Sequence, residues 1–129
     1  MKSIVGALLL VFATVTQADP LTIRPGESWM FAIKDGQPVN ARQAPATGKP
    51  AKGQVMVTVR ALFGTTMVAT NNSSTGYTFS AELVSGTKTI AGRTCTLPAG
   101  AKPILEQWEQ KADAVRLSNF RAAGNEGRC

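Results

Sequence analysis

Apolar and polar residues alternate with period two along most of this chain. In Ser28-Trp-Met-Phe-Ala-Ile-Lys34, Trp29, Phe31 and Ile33 share one side and Ser28, Met30, Ala32 and Lys34 the other, and Asp35-Gly36 supplies a hairpin turn. That pattern predicts a half-buried strand. Val55, Val57 and Val59 alternate with Met56, Thr58 and Arg60, and Thr65 to Thr70 follows Gly64 as a second β-rich run. Asn71-Asn-Ser-Ser-Thr-Gly76 is a turn cluster, after which Tyr77, Phe79, Ala81 and Leu83 alternate with Thr78, Ser80 and Glu82. Ser85-Gly86 turns again. Lys88 to Ala91 and Arg93 to Leu97 read as two short strands joined at Gly92 or as one bent strand. Residues 43–53 hold two prolines, two glycines and no large apolar side chain, a composition that predicts a mobile loop.

Two readings fit residues 101–120. Leu105, Trp108, Ala112 and Val115 fall at helical spacing behind Pro103, which suits a short helix near 103–117. The same segment also reads as two strands. Ile104, Glu106 and Trp108 alternate with Leu105 and Gln107, and Val115 to Asn119 alternates in turn, so that turns every 8–12 residues bound some seven strands. We favour strands. Each strand has one apolar face, and a second sheet is the simplest cover for it, which predicts an all-β, small antiparallel two-sheet sandwich. The expected core is Trp29, Phe31, Ile33, Val55, Val57, Val59, Tyr77, Phe79, Leu83 and Leu117. This pattern resembles an immunoglobulin-like sandwich, a scaffold that hosts many functions, so the resemblance implies architecture alone.

The N-terminus adds an address. Lys2 precedes a nearly unbroken apolar run from Ile4 to Val15, and Thr16-Gln-Ala18 ends in a small residue, the layout of a signal peptide cleaved after Ala18. The run is shorter than the ~20 residues of a membrane-spanning helix. Residues 1–18 are therefore read as a leader and 19–129 as one domain, periplasmic or secreted and without a transmembrane segment after processing. No cysteine near the cleavage site offers a lipid anchor. Cleavage leaves 111 of the 129 residues, with 13 basic (14 less Lys2) and 8 acidic side chains, a net charge of +5. The basic residues are scattered, without the clustered face and interleaved aromatics of a nucleic-acid binder. Cys95 and Cys129 are the only cysteines, and in an oxidising compartment such a pair is expected as a disulfide tying down the tail at 121–129.

The chain contains no histidine. Serine or cysteine catalysis through an imidazole, and histidine-ligated zinc or copper, are thereby excluded. A soft copper site from Met30, Met56 and Met67 is the remaining metal option, with Met56 and Met67 sharing a face, and packing is the simpler role for all three. Ser85-Gly-Thr-Lys88 matches the Ser-x-x-Lys nucleophile motif, yet on a turn rather than at a helix start. Glu106 with Glu109 or Asp113 would serve a glycosidase only if held across a cleft, and a solvated face explains them equally. Asn71 and Asn72 begin overlapping glycosylation sequons inside a turn.

What remains is surface. The sequence is read as a non-enzymatic binding or structural module of the cell envelope or extracellular space, acting through protein–protein contacts and needing no cofactor or metal. Its partner is an envelope or extracellular protein, or an acidic polysaccharide in the alternative reading of a carbohydrate or envelope-surface binder; a small hydrolase is the third option. Trp108, Arg60 and Met56 are the candidate binding surface, because aromatic and arginine side chains dominate hot spots.

Overall fold

A computed structural model describes residues 20–123. The leader at 1–18 and Cys129 lie outside the described residues. Among the described residues nine strands form two antiparallel sheets: β1 (Leu21–Ile23), β2 (Ser28–Lys34), β3 (Gln37–Gln43), β4 (Gln54–Arg60), β5 (Thr65–Asn72), β6 (Gly76–Ser85), β7 (Lys88–Gly92), β8 (Ile104–Trp108) and β9 (Ala114–Ala123). One sheet has the order β1-β9-β6-β7 and the other β3-β2-β4-β5-β8. The two-sheet antiparallel architecture is thus the expected one.

The helix considered near 103–117 is absent. Residues 104–108 instead form β8, which pairs with β5 from Thr65↔Trp108 to Ala69↔Ile104, and β9 begins at Ala114. Pairing with β5 turns Glu106 and Trp108 inward, which outweighs the helical spacing of Leu105, Trp108 and Ala112 because that spacing would leave the β5 edge unpaired. The 93–97 segment is not a second strand beyond Gly92. It meets β6 in one bridge, Tyr77↔Leu97, with N–H to O distances of 2.9 and 2.8 Å.

The core lies between the inner faces. Phe31, Val55, Val57, Val59, Phe79, Leu83 and Leu117 are buried as expected, while Trp29, Ile33 and Tyr77 are half-buried against them. Ile23, Met67, Leu97, Trp108, Val115 and Phe120 join the cluster, with Ala69, Ala81 and Ala112 filling it. Phe120 is its aromatic centre, stacked on Phe79 at 5.3 Å and tilted against Phe31 at 5.8 Å and Tyr77 at 6.1 Å. It reaches the core because Asn119 takes a left-handed φ of 57°, where the β6–β9 register slips. That bulge inverts the in-and-out order, so Val115, Leu117 and then Phe120 face inward.

Local chemistry sets the connections. Asp35 (φ 53°) and Gly36 (φ 81°) form the two-residue hairpin turn between β2 and β3, in which both central residues are left-handed. A second bulge, at Asn40 with φ 55°, shifts the β2–β3 register between Met30 and Ala32 and bends the outer strand β3. Residues 44–53 fold back on the five-stranded sheet, held by Ala44 N–H to Ser28 O (2.9 Å), Gly48 N–H to Pro45 O (2.8 Å), Gly53 N–H to Asn72 O (2.6 Å) and Asn72 Nδ2 to Pro50 O (3.0 Å). Among the described residues no helix is long and apolar enough to cross a membrane.

Candidate functional site

The β4–β5 connection is the most exposed apolar feature of the described chain. Arg60, at the end of β4, and the following Ala61, Leu62 and Phe63 are all exposed, Phe63 at 86% and Leu62 at 49%. Phe63 stands at a left-handed φ of 50°. For a bulky residue that conformation costs roughly 1–2 kcal/mol, so the turn holds its aromatic side chain in water at a conformational cost.

The base of this tip is fastened to the body. Gly64, at φ 98°, is so close to the end of β8 that an added Cβ would lie 2.3 Å from Trp108 O. Only glycine fits there. Thr66 Oγ1 donates to Leu62 O at 2.9 Å, while Thr65 Oγ1 donates to Gln110 O at 2.7 Å and accepts from Ala112 N–H at 3.0 Å. Thr65 thereby ties the start of β5 to residues 110–112, and Thr66 ties the tip back onto β5. A rigid scaffold carrying an exposed aromatic and an arginine has the composition of an interaction hot spot.

Of the three surface residues named from sequence, Arg60 is exposed beside this tip, whereas Met56 and Trp108 are elsewhere. Trp108 is 7% exposed, its indole N–H donates to Arg93 O at 2.9 Å, and its ring lies on Gly92. That side chain is part of the core and offers no free face. The expectation failed because its neighbours Gln107 and Glu109 are polar, although in a strand the residues on either side point to the opposite face. Trp29, expected inward, is half-buried, and its indole N–H donates to Glu27 Oε1 at 3.0 Å. This bond, with that from Arg24 N–H, holds the Glu27 carboxyl below its ordinary range.

Met56 lies on the outer face of the five-stranded sheet, opposite Met30 on β2 and Thr70 on β5. It is only 6% exposed because residues 44–53 cover it, and it forms the floor of a cleft of about 480 Å³ together with Val68 and Thr70. Met67 faces the core at 0% exposure. Since Met67 pairs with Val59 while Met56 pairs with Thr70, odd and even positions of β4 separate the two methionines onto opposite faces. The expected shared face is therefore corrected, and the three sulfurs do not converge.

The carboxylates also separate. Glu106 is buried, its Oε2 accepting from Cys95 N–H in a notch of about 240 Å³ beside Arg93 and Trp108. Burial pushes its carboxyl up from the ordinary range, against the opposing pull of the Cys95 N–H and of Arg93. Asp113 Oδ2 accepts from Gly86 N–H at 2.8 Å, and Ser85 Oγ donates to Lys111 O at 3.1 Å. Ser85 and Lys88 thus belong to a hairpin end tied to the 109–113 turn rather than to a nucleophile site. Asn71 is fully buried, its Nδ2 donating to Thr75 O at 2.7 Å and its Oδ1 accepting from Ser73 Oγ at 2.7 Å, so that side chain shapes the turn. Among the described residues no cluster of histidine, cysteine, aspartate or glutamate is arranged to hold a metal ion.

Comparison with protein-family models, curated proteins and solved structures gives no match to this chain.

Proposed function

We propose that this chain is a small exported binding module that acts through protein–protein contacts, with Arg60, Leu62 and Phe63 as its principal contact. The observation that carries this reading is the 86% exposure of Phe63 on a turn whose base is clamped to the sandwich. A turn whose backbone is already held loses less conformational freedom when a partner covers it, and a neighbouring arginine adds charge-assisted hydrogen bonds at the rim. Export is supported by the Ile4–Val15 apolar run and the small residue at 18. In that setting Cys95 and Cys129 form the disulfide, which returns the tail from the end of β9 to the segment after β7. The alternative of carbohydrate or envelope-surface binding draws on the positive charge and the tryptophans, and has less support from the latter because Trp108 is buried and both indole N–H groups are hydrogen-bonded within the protein.

A photo-crosslinking amino acid at position 63 tests the reading in the native host, with the same group at position 90 on β7 as the control, since Ile90 is also exposed (45%). Position 63 should give a discrete protein adduct that position 90 does not. Equal labelling from both sites, or none from position 63, would refute it.

A further inference from the structure

The outer face of the five-stranded sheet has an unusual charge distribution. Between Asp35 and Glu82 the chain has no acidic residue, and that interval contains β3, β4, β5 and the 44–53 loop. Strand β2 has none either, and the single carboxylate of β8, Glu106, is turned inward and buried. The strands of this sheet therefore present no carboxylate outward. They and their loops carry Lys34, Arg42, Lys49, Lys52, Arg60 and, before β8, Lys102, while the acidic Glu27, Asp35 and Glu109 lie just beyond strand ends, outside the cleft lining.

The cleft lies on this carboxylate-free face, with Lys49 and no acidic residue in its lining. Its floor is the Met56 thioether and the Val68 side chain, Pro50 and Pro103 stand in its walls, and Lys49 lines it as well. Methionine adapts its shape to a guest, and about 480 Å³ lies within the range of small-molecule pockets. The polar groups in it are partly committed: Thr58 Oγ1 bonds Ser28 Oγ at 2.7 Å and Asn72 Nδ2 bonds Pro50 O. Thr70, opposite Met56 in the floor, is half-exposed and polar.

We infer that this cleft binds a small amphiphilic anion, a carboxylate on a short aliphatic chain, with the chain against Met56 and Val68 and the carboxylate towards Lys49. The apolar floor selects the body of the ligand. The lack of a carboxylate in the lining selects its charge, because an anion gains from Lys49 while a cation finds no countercharge in the cleft. This site is separate from the Phe63 tip and does not depend on it.

Octanoate is the probe, with octanol and octylammonium as uncharged and cationic controls of equal chain length. Titration of the full exported chain, followed by the methyl NMR signals of Met56 and Val68, should show octanoate binding more tightly than either control. Lys49→Gln should weaken octanoate by roughly threefold, the scale of one exposed charge pair. Thr70→Glu places a carboxylate in the floor at a half-exposed position, and it should reverse the preference in favour of octylammonium while the folded spectrum is retained. Equal affinity for the three probes, shifts confined to other methyls, or an unaltered order in Thr70→Glu would each overturn the inference.

Discussion

The indole N–H of Trp108 donates to the backbone carbonyl of Arg93 at 2.9 Å, tying the edge strand of one sheet to the segment that leaves the edge strand of the other. Gly92 lies beneath the same ring, where a Cβ would come within 2.9 Å of Cε2 and Nε1. Trp108→Ala should therefore cost about 3–5 kcal/mol, as for other buried aromatic truncations. Gly92→Ala should cost about 1–3 kcal/mol through the clash alone. Chemical denaturation of the two variants measures both, and a cost below 1 kcal/mol for Trp108→Ala would show that the tryptophan is not part of the core.

Glu106, next but one in β8, makes stability depend on pH. Its carboxyl is raised by burial, so the folded protein holds this proton more tightly than the unfolded chain does. The resulting stabilisation is fully present below the ordinary carboxylate pKa and is lost as pH rises through the raised value. Glu106→Gln keeps an acceptor for Cys95 N–H and removes the charge. The variant should be more stable than the parent at neutral pH, and its stability should vary less across that window. Parallel pH profiles for the two proteins would contradict this.

The proposed Cys95–Cys129 bridge gives a measurable energy. Closing a loop of that length should stabilise by ~3–4 kcal/mol in the chain-entropy model. The intact exported protein should have the mass of residues 19–129 less two hydrogens, gain two hydrogens with reductant, and unfold at lower denaturant once reduced. A mass insensitive to reductant would remove the bridge from the account.

How much of this was legible in the sequence follows the period of two. Val55, Val57 and Val59, and Phe79, Ala81 and Leu83, sit where simple alternation puts them because β4 and β6 are inner strands and the extra residue of the β6–β9 bulge belongs to β9. Phe120 could not be placed that way. Its inward position depends on the left-handed turn at Asn119, an interruption that only the β6 partner reveals. Ile23 belongs to a strand of three residues, too short to show a period, yet it is fully buried against β9. Met67 lies in a run that alternation leaves ambiguous, and its inward face follows from pairing with Val59. At the candidate site Arg60 was identified from residue type alone. Phe63 was missed because an apolar pair before a glycine looks like the end of a strand, and only the clamp by Thr65 and Thr66 shows it projecting.

Under the proposed function Phe63 serves contact rather than stability. Phe63→Gly removes the aromatic ring and relieves the left-handed conformation, so it should leave the unfolding free energy equal or raise it by up to ~1 kcal/mol. Measured side by side with the amount of partner crosslinked in the native host from a photo-reactive group at position 62, the variant should lose the adduct while remaining at least as stable. A fold destabilised by more than 1 kcal/mol, or an adduct formed as readily by Phe63→Gly as by the parent, would contradict the account.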